Sequence, residues 1–587
     1  MGLTRSALFV IACLMSTQAH AQMAVSLDPS VPSPAPMGTV VTWQATVTGV
    51  DSGTVWYRFR TRRPGREYRV VRDYGPQTSL DWTAADHEGF YEVEVGAVNK
   101  NTGETATASR IYQLTSLLTG DTPVISPTSH PFVFLYSAPP CAPAGRMRVR
   151  FTSSGGQVQT TPFKGCRKGL SMNFYLAGMR PGETYSVRHV VDTGARFVRG
   201  PEVSFAMPTP QQNFAAYTVV QSLSSQTTQG ILLQSTLSEP SLATDLDGTV
   251  LWFYAGNISY MTRPDPGGNF FGIGDFPNAD ASQQFVREFD LLGLTVAETN
   301  AARISEQLIA MGKRPITAFH HEARSLPGGR ILVLASTEQI LTDVQGAGPV
   351  DVLGDMILVL DSDLQVEWAW DAFDHLDARR MATLGETCGR VGGGCPPFYL
   401  ADQANDWLHG NAVELTPDGN LLYSARHQDW VLKINYDGGE GSGAILWRLG
   451  KDGDFLLNST DPAPWFSHQH DANIEFADPT RLALFDNGNV RNAADSSAHS
   501  RGQVLQIDEQ GRTATLALNA DLGIYSYALG SARRLANGDY HFLLGWLPGE
   551  IASQSVQVEP SGSIVFALKA AATEYRSFRM RDLYTPN

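Results

Sequence analysis

The chain has 587 residues and a formal net charge of −15. An acidic balance of this size argues against nucleic acid or an anionic membrane surface as the main partner, so an anionic substrate needs a local cationic site set against the global field. The length suffices for several domains, and 55 glycines, 33 prolines and only 18% charged residues suit a turn-rich all-β protein.

Residues 1–21 read as a secretory signal. Arg5 supplies a positive start, Ala7–Met15 an apolar run, and Ala19-His20-Ala21 a small-residue cleavage site before Gln22. A lipoprotein signal through Val10–Cys13 and a myristoylation pattern at the start are the alternatives on this stretch. The expected location is therefore outside the inner membrane, periplasmic first. No later run is long and apolar enough to span a bilayer. Removing the signal removes Cys13 and leaves Cys141, Cys166, Cys388 and Cys395. An even number in a secreted chain predicts two disulfides, with the local pairings 141–166 and 388–395 the economical choice. Neither pair has the Cys-x-x-Cys spacing of a metal site.

From residue 22 to 117, short alternating runs at Thr39–Val47, Thr54–Arg60, Glu67–Val71 and Phe90–Val98 predict an immunoglobulin-like β-sandwich. A second module, 118–209, carries Leu176–Arg188, which resembles the turn and strand of a fibronectin III domain. His87, His130 and His189 are scattered through both modules and predict ordinary buried histidines.

From 210 to 587 a unit of about 60 residues recurs six times, each ending in an aromatic-bearing strand, as at Gly248–Tyr254, Leu364–Trp370 and Ala444–Trp447. That period predicts a six-bladed β-propeller of four-stranded blades, with five or seven blades as the alternatives because the first two units are poorly marked. Ala279–Ile309 is the best helical candidate. Three units share a further feature. His320, His409 and His470 each stand six residues before an apolar residue, Leu326, Leu415 and Phe476. If the units are related by rotation, the three imidazoles converge on the axis. His321, Asn411, Arg426, His427, His468 and Asp471 lie close by in sequence, and Asp471 is placed to orient a neighbouring imidazole. Imidazoles with one arginine and an amide can cradle a tetrahedral oxyanion, and a neutral imidazole can be a nucleophile. Zinc or copper is the rival use of several imidazoles, which Arg426 disfavours because it sets a cation beside a cation. Trp407, Trp430, Trp465 and Trp546 serve as packing or as a slot for an aromatic ring.

The strings Trp-Leu-His-Gly-Asn (407–411), Ser-Ala-Arg-His-Gln (424–428), Ile-Leu-Trp-Arg-Leu-Gly (445–450) and Gln-His-Asp-Ala (469–472) resemble the bacterial aryl sulfotransferases that use aryl sulfates instead of a nucleotide donor. The likeness is carried by 320–580. It implies sulfuryl transfer from an aryl sulfate to a phenol through a sulfohistidine, without a cofactor, in a secreted propeller protein that is often dimeric. It implies His470 as the nucleophile, and His409, Asn411 and Arg426 as groups that hold the sulfuryl oxygens and help the leaving phenolate. It implies an earlier histidine, for which the register favours His320 over His321, and a hydroxyl from the last unit, for which spacing selects Ser531. Two rivals are a metal-dependent or metal-free hydrolase or lyase on the same scaffold, and a secreted binding protein whose sandwich modules do the work.

Overall fold

A computed structural model of the protein describes residues 22–50, 52–223, 230–237, 239–276, 280–390 and 394–586; the signal at 1–21, with Cys13, lies outside the described residues. The fold is all-β, as expected, and no described helix is long and apolar enough to cross a membrane.

Residues 24–115 form two facing groups of antiparallel strands. Strands 24–29, 41–48 and 79–82 make one sheet; 55–62, 69–75, 89–99 and 105–115 lie in the other. Alternating residues such as Trp43, Phe59, Val93, Val95 and Tyr112 fill the space between them. Strands between 124 and 206 repeat the arrangement, with 124–127, 134–138 and 172–176 in one sheet and 146–153 paired with 184–192 in the other. Cys141 is bonded to Cys166 here, and Cys388 to Cys395 further on. His87, His130 and His189 are buried and hydrogen-bonded to Ser171 O, Phe253 O and Tyr136 Oη, structural groups as predicted.

Neither group stands apart from the carboxyl-terminal part of the chain. Strand 69–75 meets 295–300 through an Arg72–Glu298 pairing, with Arg287 on the same buried carboxylate. The core beneath 124–206 runs on into Trp252, Phe270, Phe289 and Phe578.

From Tyr217 onward lie six four-stranded antiparallel meanders. Their first strands are labelled β1 (Tyr260–Asp265), β2 (Ala318–Leu326), β3 (Gly410–Leu415), β4 (His470–Glu475), β5 (Ser531–Arg534) and β6 (Glu574–Met580). β6 comes from the far end of the chain and pairs with 231–236 near its start, while 217–221 pairs with 564–570. Those two exchanges leave no gap between last sheet and first. Contacts between first strands run β6–β1–β2–β3–β4–β5–β6, a closed cycle. The aromatic-bearing strands predicted at 248–254, 364–370 and 444–447 are the fourth strands of their sheets.

Three local expectations change. Among the described residues of the helical candidate 279–309, the α-helix is confined to Ala301–Ala310 and a 3-10 turn to Ala281–Gln283, because 285–289 and 295–300 pair as strands. The hairpin after β4 turns at residues 476–477, where Phe476 is 74% exposed. The Asp486–Gly488 turn instead ends the second strand of that sheet. Lastly, the 378–409 connection returns along the strand Pro349–Leu360 as a small hairpin, 387–389 with 403–406. The Cys388–Cys395 bond ties down this hairpin beside the mouth of the ring.

Candidate active site

All six first strands start at the same mouth of the cycle and end at the other. The starts of β2, β3 and β4 bring His320, His321, His409, Asn411 and His470 together, as the spacing predicted. The shared count is only partly a shared geometry. His320 lies within β2 and His470 opens β4, each ahead of a bulge, whereas His409 precedes β3 in a left-handed conformation (φ +49°).

His470 is the most completely specified imidazole. Its Nδ1 lies 2.7 Å from Asn487 Oδ1, and the Asn487 amide nitrogen donates to Ser526 O (2.9 Å) and Leu529 O (3.1 Å). Two carbonyl acceptors fix which end of the amide is nitrogen, so the oxygen faces His470 and Nδ1 must carry the proton. Nε2 is thereby left with its lone pair. Burial, then the Arg426 charge, holds the imidazole well below its ordinary pKa, so it is neutral.

The two rings of the His320–His321 doublet have different surroundings. His320 Nδ1 lies 2.8 Å from His321 Nδ1, and its Nε2 is within ion-pair distance of Asp355 Oδ1 (3.2 Å) but without hydrogen-bond geometry. Asp355 also accepts from Gly410 N (2.6 Å) and from Tyr423 Oη. A proton on His320 Nε2 for Asp355 makes its Nδ1 the acceptor, so His321 donates through Nδ1 and keeps a lone pair on Nε2. His321, half-buried with φ +58°, packs against His409 at a centroid distance of 4.9 Å. Burial and the neighbouring imidazoles push its pKa far down. His321 is thus the more exposed of the two and the one in contact with His409, while His320 lies beside Asp355. Tyr260 Oη and Tyr575 Oη hold the His321 backbone at 2.9 and 2.6 Å.

His409 Nδ1 is 2.6 Å from Asp406 Oδ2, a carboxylate that fixes its tautomer. His427 stacks on His409 at 4.6 Å and donates from Nδ1 to Asp406 O (2.7 Å). Its Nε2 then accepts from Arg426 Nη1, which orients the guanidinium. Arg426 is buried, its other Nη donates to Tyr527 O at 3.5 Å, and its Nε has no partner among the described residues. An unpaired buried guanidinium N–H is a costly arrangement that an oxyanion would relieve. His468 differs from the other rings. Burial alone would lower its pKa, but hydrogen bonds to Asp429 and Glu386 carry it above the ordinary value, so it is a paired cation.

Three of the residues singled out in the sequence have partners of their own. Asn411 is in the site, but its amide N–H₂ donates to Gln469 O (2.7 Å), leaving Oδ1 without a partner among the described residues. Oδ1 offers an acceptor, and the amide nitrogen keeps a second N–H beyond the one given to Gln469. The Ser531 hydroxyl donates to Ser577 O (2.8 Å), in a buried group with Ser555 and His541. Asp471 turns away from the imidazoles to Arg263, Arg533 and Arg576.

Sequence reasoning missed Asp355, Asp406, Glu386 and Asn487. Two acidic residues inside the apolar run 349–360 were a signal, since a buried carboxylate needs a partner. The ligand atoms of Asp406, His409 and His427 lie within 4.8 Å of one another, as do those of Glu386, His427 and His468. Either set could hold a metal only by displacing a partner of His427, whose Nδ1 meets Asp406 O and whose Nε2 meets Arg426. Of the four tryptophans, Trp407 is core, and Trp546 lines an apolar cavity of about 470 Å³ with Tyr525 and Tyr527, beside the Arg426 contact.

No curated protein matches the chain. Among solved structures, the chicken CNTN1 FN1–FN3 domains match at 12% identity and a TM-score of 0.13, over 32% of this chain and 65% of that one. Chicken interferon gamma receptor alpha chain matches at 10% and 0.13, over 32% and 100%. Purple acid phosphatase PPD1 of yellow lupin matches at 12% and 0.14, over 34% and 44%. At such scores these likenesses decide nothing about the fold. The family model for arylsulfotransferase (ASST), in contrast, matches residues 216–576, which include every histidine of the site. The chain belongs to the arylsulfotransferase family, an enzyme family whose substrates are small aryl sulfates and phenols.

Proposed function

We propose that the protein transfers a sulfuryl group from an aryl sulfate to a phenolic acceptor by a ping-pong reaction through His470, on a six-bladed propeller formed by the six meanders after residue 210. The observation that carries this reading is the His470 tautomer: a buried, neutral imidazole with Nδ1 anchored and Nε2 available, beside an arginine with an unpaired N–H. The Nε2 lone pair attacks sulfur, the S–O bond to the aryl group breaks, and the phenolate takes a proton from His409, whose ring is held by the Asp406 carboxylate. A phenol then binds, returns its proton to the same imidazole, attacks sulfur and breaks the N–S bond. Arg426 takes up charge on the sulfuryl oxygens in a site closed to bulk water. Asn411 Oδ1 is an acceptor for the phenolic hydroxyl.

Around this core, residues 22–117 and 118–209 are read as immunoglobulin-like and fibronectin III-like modules. The signal at 1–21 directs the protein to the periplasm, and a homodimer is the proposed assembly. The closed cycle of first strands supports the propeller. The test is release of nitrophenol from 4-nitrophenyl sulfate by purified protein without nucleotide. Release that requires added phenol is the expected result. Release that ignores phenol would replace transfer by hydrolysis.

A further inference from the structure

The 526–529 segment, which leads into β5, joins the histidine mouth to the aromatic cavity beside it. Its backbone serves the mouth. Ser526 O and Leu529 O accept from the Asn487 amide that anchors His470, and Tyr527 O accepts from Arg426 Nη2 at 3.5 Å. The Tyr527 ring, 51% exposed, meets the ring of Trp546, 45% exposed, edge to face at a centroid distance of 6.0 Å. Two hydrogen bonds fix the pair: Tyr527 N donates to Trp546 O (3.1 Å), and Trp546 N to Ser526 Oγ (3.2 Å).

With Tyr525, Leu384 and Pro548 these rings line the cavity of about 470 Å³. Leu384 is tied to the same mouth. It follows Thr383, whose N–H donates to His427 O (2.7 Å), and its own N–H donates to Glu386, the partner of His468. Burial pushes the Tyr525 hydroxyl up to about 12, against the pull of the nearby Arg426 charge. Large apolar side chains held half in water at one place leave a surface that a flat aromatic group would cover. The volume suits a ligand of several rings better than a single phenol. One polar group interrupts the apolar lining: Asn489 is 5% exposed, and its Oδ1 has no hydrogen-bond partner among the described residues. A phenolic hydroxyl both donates and accepts, so it can satisfy that amide whichever way the amide is turned.

We propose that this cleft is a subsite for the distal ring of an extended aryl substrate, a phenol or aryl sulfate of two or more rings with a second hydroxyl remote from the reacting oxygen. This rests on the sulfuryl-transfer reading of His470. Tyr527 and Trp546 set the size of substrate that is preferred, and Asn489 takes the far hydroxyl.

The test gives purified full-length protein 4-nitrophenyl sulfate as donor and phenol, 4-phenylphenol or 4,4′-dihydroxybiphenyl as acceptor. In the wild type, kcat/KM should rise about tenfold from phenol to 4-phenylphenol and about fivefold again to the diol. Trp546→Ala should bring the first step close to one. Ala493→Trp should do the same by filling the cavity from an exposed position on the short helix Asn489–Ala494, and it decides the matter if Trp546→Ala fails to fold. Asn489→Leu should abolish the second step alone. Calorimetric titration of the same proteins with 4,4′-dihydroxybiphenyl needs no turnover, and either cavity variant should weaken that binding about tenfold. Cavity-dependent binding without turnover of any acceptor would keep the cleft and sink the sulfuryl reading. A wild type that turns over all three acceptors alike, or a preference and a diol affinity that neither cavity variant changes, would overturn the proposal.

Discussion

The two mouths of the ring are built from the same six strands and solve opposite problems. At the starting ends, three buried imidazoles are kept neutral, each tautomer imposed by a partner: Asn487 for His470, His320 for His321, Asp406 O for His427. At the finishing ends the charge is permanent, with Arg263, Arg533 and Arg576 against Glu322 and Asp471. Burial works against the charged form at both ends. At the first it wins and leaves neutral imidazoles, with the Nε2 lone pair of His427 given to Arg426. At the second the opposite charges win, holding the Asp471 carboxyl far below its usual range. Reactivity is thus placed where the groups can change protonation state, and rigidity where they cannot.

Breaking the permanent layer should cost the most stability. Asp471→Asn leaves Arg263, Arg533 and Arg576 short of a fully buried carboxylate and is expected to destabilise by about 3–5 kcal/mol in denaturant unfolding. A loss below about 1 kcal/mol would mean that the layer is solvated. At the histidine mouth, Arg426→Gln should leave the fold intact and lower kcat/KM about 10²–10³-fold, the cost of one preorganised oxyanion donor. Asn487→Ala should lower kcat about tenfold or more with little change in KM, because it frees the His470 tautomer without touching substrate contacts. Equal changes in kcat and in sulfate-ester binding would argue against that positioning role.

The smallest effect is in the pH dependence. His321, His427 and His470 have folded pKa values below the unfolded 6.5, so the unfolded chain gains protons first as pH falls beneath 6.5 and stability declines there. His468 is shifted the other way; its contribution is complete below 6.5 and is lost as pH rises through its raised pKa. Three against one predicts net loss of stability on the acid side of 6.5. The Asp471 contribution persists to well below pH 4, so the arginine layer should outlast the histidine mouth. Hydrogen exchange at pH 5 checks this: amides of β4 near His470 should lose protection before those near Arg576.

Much of this was legible in the chain. The Pro-Asp-Gly-Asn turn at 417–420, with Gly419 at φ +83°, fixed the hairpin after β3, and the aromatic fourth strands fixed the period. His470, His409 and Arg426 were found from spacing and motif together. The failures share one cause. Partners that settle a tautomer or a charge, such as Asp355, Asn487 and Glu386, reach the site from other strands and connections. Neither period nor count reveals them. Ser531 was chosen by counting from an apolar residue, which does not reveal that its hydroxyl meets Ser577 O. Register favoured His320 over His321 because it says where a residue lies but not which partners its ring meets.

The central claim is that His470 Nε2 carries the sulfuryl group. The direct measurement is mass spectrometry of protein mixed with 4-nitrophenyl sulfate in the absence of acceptor, quenched at alkaline pH, then digested. One sulfuryl group is predicted on the peptide containing His470, discharged by added phenol and absent from His470→Asn, which should be folded and inactive. Phenol-dependent turnover that survives in His470→Asn, or a sulfuryl group found on another residue, would contradict it.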